Sequence, residues 1–371
     1  MLQRSYHMKM KRVIVIILLS GLLSGVVLWS VSQAENVNPA PVDKNLVTSA
    51  VEKGLAWLAA QQNPDGSWTC RVGYKLNESY IGQAYENVGV TALAGLTFLA
   101  HGDIPQRGKY GKNATAALDF VLSCVRDTDG YITKNGTRMY EHAFAVLFLA
   151  EVYGMSQRAD LKEKLKKATQ LIVQSQNKQG GWRYQPVPLD ADISVTVTTL
   201  QALRAARNSG ISVPKDSIDL ALKYIHSSVM PDGSFKYQLK GDARSSPALT
   251  AAGVVALMSA AIKPEDYDAP EVQRGLRYLS LHLPTIQNNP ASPAGGQVPY
   301  HYFYGHYYIA QAMYQGGEKH WSNYAPLVTR EILSIQQPDG HWEDDVGPTY
   351  ATAMATLILQ IPSEYLPIFH K

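Results

Sequence analysis

The sequence predicts an all-α fold: six helix-pair repeats closed into a toroid, an (α/α)6 barrel. Three observations predict it. A short turn phrase recurs along the chain, an amphipathic helix precedes each copy, and a nearly uncharged helix follows it. Self-similarity at a fixed period sets the architecture ahead of any local motif.

The phrase is a helix end, usually with Gln, then a Gly turn, then an aromatic residue. Gln61-Gln62-Asn63-Pro64-Asp65-Gly66-Ser67-Trp68, Gln176-Asn177-Lys178-Gln179-Gly180-Gly181-Trp182, Met230-Pro231-Asp232-Gly233-Ser234-Phe235 and Gln336-Gln337-Pro338-Asp339-Gly340-His341-Trp342 carry it. Asp127-Thr128-Asp129-Gly130-Tyr131 is a weaker copy. From Trp68 to Tyr131 is 63 residues, then 51 to Trp182, 53 to Phe235 and 107 to Trp342. The last interval is about two periods, so a degenerate unit is expected near Asn289 to Gly296. Units of roughly 50 residues hold two helices and two loops.

Before the repeats come two other segments. Residues 1–34 read as a signal peptide or an N-terminal membrane anchor: Arg4, Lys9, Lys11 and Arg12 precede an uncharged run from Val13 to Val31, and Ser32-Gln33-Ala34 offers a cleavage site. Uncleaved, that run just spans a bilayer as a transmembrane segment. Either way the remainder is expected outside the cytoplasm, periplasmic or secreted, with the positive flank inside. Residues 35–44 read as a polar linker, and 45–371 as the toroid.

The outer helices show one apolar face each. Val47, Val51, Leu55 and Leu58 share a face, as do Leu161, Leu165, Ala168 and Ile172. Ile218, Leu222 and Ile225 repeat the pattern, then Val272, Leu276 and Leu279, then Val328, Ile332 and Ile335; Ala114 to Val125 is the matching helix of the second unit. The inner helices are read near Val88–Ala100, Tyr140–Tyr153, Ile193–Ala206, Pro247–Ala261, Tyr302–Tyr314 and Tyr350–Gln360, rich in Ala, Gly, Thr and Leu. A helix apolar nearly all round is a buried helix.

The turn phrase has a mechanism. Pro-Asp-Gly fixes one φ, supplies a side-chain acceptor and allows φ > 0 at Gly. The aromatic residue covers a helix end, and the Gln bonds free carbonyls there. Gln62, Gly66, Trp68, Gly181, Trp182, Gly233, Phe235, Gly340 and Trp342 are thus read as structural repeat residues.

Bulk composition excludes some functions. Net charge is +3, and no basic stripe marks the toroid, so nucleic acid is not an expected partner. Two cysteines, Cys70 and Cys124, cannot build a four-ligand zinc site; they are either one disulfide or two thiols.

Candidate chemistry sits at the starts of the inner helices. Asp190-Ala191-Asp192-Ile193-Ser194 opens the third. Asp192 reads as an N-cap, or as an acid beside a polar wall of Thr196 and Thr199 facing the cavity. Pro299-Tyr300-His301-Tyr302-Phe303-Tyr304-Gly305-His306-Tyr307-Tyr308 is an aromatic run. Its faces stabilise cations, stack on sugars or line an apolar tunnel, or simply pack the core. Phe303 and Tyr307 share one helical face, Tyr302 and His306 a neighbouring one. Glu141 and His142 open the second inner helix, and Tyr350 the sixth; Arg244, Ser245 and Ser246 lead into the fourth. These are the remaining residues expected to line a cavity.

The repeated Gln-x-x-x-Gly-x-Trp resembles the QW motif of squalene and terpenoid cyclases. The chain is similar over nearly all of residues 45–370 to prenyltransferase and squalene oxidase repeat proteins, and more narrowly to their single-toroid secreted bacterial (planctomycete-type) members. Gly180-Gly181-Trp182-Arg183-Tyr184, Asp192-Ile193-Ser194-Val195-Thr196, Tyr302-Phe303-Tyr304-Gly305-His306-Tyr307-Tyr308 and Tyr365-Leu366-Pro367-Ile368-Phe369 carry the likeness. The resemblance implies a role for Asp-x-Asp: Asp190 matches the first Asp of a cyclase Asp-x-Asp-Asp-Thr motif, and Asp192 the middle Asp that protonates an alkene. Ile193 replaces the third Asp and Ser194 the Thr, so the motif is incomplete. His306 is set like a zinc-ligand His of prenyltransferase β subunits, but its Asp and Cys partners are absent, so neither metal nor other cofactor is expected. The implied function is binding of an isoprenoid or other apolar ligand in the toroid, with cyclase- or prenyltransferase-type catalysis an open question. The alternatives are a noncatalytic toroid for an envelope protein partner and a carbohydrate-active (α/α)6 lyase or hydrolase, for which Asp192 and Glu141 are the carboxyl pair.

Overall fold

The computed structural model describes residues 40–370, apart from 72–83, 135–137, 157, 261–263, 288–297 and 300. The leader, the first half of the linker, Tyr300 and the expected degenerate turn at Asn289 to Gly296 lie outside the described residues. Among the described residues no helix is long and apolar enough to cross a membrane.

Among the described residues, twelve α-helices alternate between an outer and an inner layer. The outer ones are α1 (Lys44–Ala60), α3 (Gly111–Ser123), α5 (Leu161–Gln174), α7 (Lys215–Ser228), α9 (Pro270–Leu281) and α11 (Glu318–Ser334). The inner ones are α2 (Val88–Ala100), α4 (Met139–Tyr153), α6 (Ile193–Asn208), α8 (Pro247–Ser259), α10 (Tyr302–Gln315) and α12 (Pro348–Gln360). Each inner helix packs on the next, and α12 packs on α2, so the ring closes. Each outer helix packs against the inner helix of the unit before it, and α1, α5, α7 and α9 also pack against that of their own unit. A short antiparallel pair, β1 (Thr69–Cys70) with β2 (Tyr85–Glu86), is a feature that the all-α reading did not contain.

Sequence explains the layering. In α5 the residues Leu161, Leu165, Ala168 and Ile172 are buried while its lysines face outward. In α2 every residue is buried, as the continuous apolar composition requires. Small residues set the spacing: a Cβ on Gly253 of α8 would meet the Phe235 ring at 2.2 Å.

The turn phrase staples neighbouring units. The indole N–H of Trp68, Trp182 and Trp342 donates to the carbonyl ten residues earlier, Leu58 (2.8 Å), Ile172 (2.7 Å) and Ile332 (2.7 Å). Their backbone N–H groups donate to Thr91, Thr196 and Thr352 of the following inner helix, and Phe235 does the same to Thr250. The Gln side chains bond carbonyls as expected, but reach further. Gln62, Gln176 and Gln336 each donate to their turn Gly and to a carbonyl of the next outer helix, Asn113, Ser217 and Ala50. The turn Gly faces the same helix. At Gly180, φ is +97°, and a Cβ would lie 1.9 Å from Leu220 O, so backbone conformation and space both demand Gly.

The ring axis is filled rather than hollow. Gln201 of α6 donates to Gln311 of α10 at 2.7 Å, and Thr198 bonds the Tyr308 hydroxyl at 2.7 Å. Below them the C-terminal segment turns inward: Leu366, Ile368 and Phe369 are buried, with Phe369 against Tyr307. Cys70 and Cys124 are separate thiols, not a disulfide.

Candidate functional site

The N-terminal ends of the inner helices gather at one mouth of the ring. Corresponding N-cap positions hold Asn87, Asp192 and Ser246, and each accepts the backbone N–H three residues on, from Val90, Val195 and Leu249. Asp192 is thus an N-cap. It differs from the other two in carrying a second carboxyl oxygen.

That oxygen is the distinctive feature of the mouth. Asp192 has 0% exposure. Its Oδ1 accepts from Val195 N at 3.0 Å and Ser194 Oγ at 2.6 Å. Its Oδ2 is buried without a hydrogen bond, 3.7 Å from Arg183 Nε, which is likewise unbonded. Loss of solvent pushes the carboxyl above its usual range; Ser194, Val195, Arg183 and Tyr237 pull the other way and do not prevail. The loop that brings Arg183 here is pinched off by Asp192 N donating to Trp182 O at 3.0 Å.

Tyrosines surround this carboxyl. Tyr184 and Tyr237 share a hydroxyl–hydroxyl bond of 2.7 Å. Tyr140 lies 6.2 Å from Tyr184 and 6.4 Å, edge-on, from Tyr304; Tyr304 lies 5.1 Å from Tyr308. Arg138 and Arg183 sit over the Tyr184 ring, and Arg244 over Tyr237. Tyr140, Tyr184, Tyr304 and Tyr350 are half-buried, so the cup is open on one side.

The residues singled out from sequence fall into three groups. Asp192, with Tyr350 nearby on α12, belongs to the mouth. Asp190 is a surface residue, ion-paired with Arg183. The others are engaged in holding the repeats together or in the core. Thr196 carries Trp182. His142 accepts Ile132 N at Nδ1 and donates from Nε2 to Ala168 O, and burial holds its pKa down at about 4. It takes the place that Thr takes in other units. Glu141 accepts from Val88 N at the start of α2 and from Thr133, with burial pushing it up to about 7. Tyr302 donates to Glu331, and His306 bonds the Tyr324 hydroxyl and Pro284 O; both face α11 rather than the axis. Phe303 is buried, and Tyr307 packs with Phe144 and Phe369 beneath the cup.

The lining that sequence reasoning did not single out is Arg183, Tyr140, Tyr184 and Tyr237; Tyr304 and Tyr308 lie in the aromatic run that it did. A signal existed for part of it: Tyr184 and Tyr237 each stand two residues after the repeat aromatic, as does Asp344. Asp344 lines a cavity of about 20 Å³ with His301 and Tyr350, and burial pushes it up to about 7. A larger cleft, about 350 Å³, lies beside Pro188, Leu189, Ala191 and Leu239 and does not include the tyrosines. Among the described residues no group of three or more His, Cys, Asp or Glu could hold a metal ion.

No family model and no curated protein matches the chain. Solved structures do. The apo type II terpene cyclase MstE from Scytonema aligns with TM-score 0.59 and 13% identity over 88% of this chain and 100% of that one. A cellobiose 2-epimerase from Bacillus thermoamylovorans aligns with TM-score 0.62 and 12% identity over 86% of this chain and 100% of the other. An α-1,6-mannanase of a Salegentibacter species, in complex with α-1,6-mannotriose, aligns with TM-score 0.57 and 9% identity over 85% of this chain and 98% of its own. At these identities the likeness is one of fold, the (α/α)6 toroid.

Proposed function

We propose that the tyrosine-lined mouth around Asp192 is a ligand site outside the cytoplasm, that its ligand is the unsaturated end of an isoprenoid or similar apolar chain, and that Asp192 is the acid that protonates it. One observation carries the reading: a fully buried carboxyl held above its usual range, with one oxygen unbonded, among aromatic rings. A neutral carboxylic acid can give up a proton to an alkene, and tyrosine faces stabilise the cation that results. The likeness of fold to a terpene cyclase that has been seen with geranylgeranyl dihydroxybenzoate supports the ligand class.

The filled axis limits how the ligand enters. Tyr307, Tyr308 and the Gln201–Gln311 pair close the cup from below, so a ligand chain could not thread the axis and could enter only by its end. The rest of the chain would lie outside, where Leu189 and Val187 are exposed on the 183–191 loop.

The same shallowness favours a second reading, a carbohydrate site with tyrosine platforms and Asp192 and Asp344 as its carboxyls. Intrinsic fluorescence titrations with geranylgeraniol and with mannotriose separate the two. The first reading expects saturable quenching by geranylgeraniol alone, weakened at least tenfold by Tyr304→Ala. Saturation by mannotriose alone would replace it with the second.

A further inference from the structure

Two carboxyl groups share one guanidinium at the mouth. Arg183 Nη1 is ion-paired with Asp190 Oδ2 at the surface, where Asp190 is 58% exposed. On its inner side Arg183 Nε stops 3.7 Å from Asp192 Oδ2, and both atoms are buried without a hydrogen bond. A shift of under an ångström would complete a charge-assisted bond between them. The other groups facing Asp192 are the hydroxyls of Tyr140 and Tyr304 from α4 and α10, of Tyr224 from α7, and of Tyr237; burial raises all four, so none is a charged rival to Arg183.

We propose that Asp190 is a positioning residue: it holds Arg183 outward, so that Asp192 stays protonated while lying next to a positive charge. The inference rests on reading Asp192 as the acid. It explains how an incomplete Asp-x-Asp motif can still keep its second carboxyl protonated. In turnover the Asp192 proton passes to an alkene carbon, and the π electrons form the new C–H bond. Arg183 steadies the carboxylate left behind. The carbocation then loses a neighbouring proton to solvent, and Asp192 regains one through the open mouth, so atoms and charge balance.

Infrared spectra of the full-length protein test this without a substrate. The difference between wild type and Asp192→Asn isolates the C=O stretch of protonated Asp192 from those of Glu141, Glu151 and Asp344. The band should persist above the pH range in which an ordinary aspartic acid ionises, and fade as pH rises further. Asp190→Asn should lower the midpoint by about one unit or more, because a closer opposite charge favours the carboxylate. Asp190→Glu should restore it, and Arg183→Gln should raise it. Absence of the band above the ordinary aspartic acid range in wild type overturns the inference, as does an unchanged midpoint in either Asp190→Asn or Arg183→Gln. Midpoints that shift as stated, in a protein that protonates no alkene, would uphold the arrangement and end the catalytic reading alone.

Discussion

Gln336 closes the ring, and its removal measures how much closure contributes. Its Nε2 donates to Gly340 O at 2.8 Å and to Ala50 O at 2.9 Å, joining the last unit to the first. Gln176 makes the equivalent pair in mid-chain, both at 2.8 Å, to Gly180 O and Ser217 O. A neutral hydrogen bond contributes about 1 kcal/mol net, so Gln336→Ala and Gln176→Ala should each cost about 2 kcal/mol. Gln336→Glu keeps the shape but turns a donor into a carboxylate facing two carbonyls, so it should cost at least as much. Urea unfolding followed by circular dichroism reads all three. A silent Gln336→Ala beside a costly Gln176→Ala would mean that the first and last units are not joined, and a silent Gln336→Glu would refute the hydrogen-bond account of the staple.

Other expectations follow from the same geometry. Trp182→Phe keeps an aromatic ring but loses the bond to Ile172 O and part of the buried indole, at about 2 kcal/mol, whereas Trp182→Ala should cost about 3–5 kcal/mol; denaturant midpoints distinguish them. Gly180→Ala places a Cβ 1.9 Å from Leu220 O at φ +97° and should cost more than about 2 kcal/mol, which thermal melts of the purified protein would reveal. Burial pushes Glu151 from 4.5 up to about 7, so folding takes up a proton and stability falls as pH rises through that window. Glu151→Gln should remove the slope and stabilise the protein at pH 8 by about 3 kcal/mol, with little effect at pH 4; urea midpoints at the two pH values check it.

Much of the ring was legible because its determinants are local. The turn glycines, the indole staples and the fully apolar inner helices all repeat in sequence, and α2 runs over the residues expected, Val88–Ala100. Boundaries moved where a cap decides them: α12 starts at Pro348, after Gly347, two residues before Tyr350. Within the site, Asp192 stood out as an acid at the start of a buried helix. Which tyrosines reach it did not. An inner helix that is buried on every side offers no polar stripe to fix its rotation, so the run from Tyr302 to Tyr308 could not say that Tyr304 and Tyr308 face the cup while Tyr302 and His306 face α11. Arg183 was out of reach for another reason: its place depends on the Trp182–Asp192 bridge that closes its loop.

The most direct test of the account is deuterium transfer. The full-length protein would be incubated with geranylgeraniol in D2O, and the recovered lipid examined by mass spectrometry for carbon-bound deuterium. The account predicts deuterium incorporation by wild type and none by a folded Asp192→Asn variant. No incorporation by wild type, or equal incorporation by both, would contradict it.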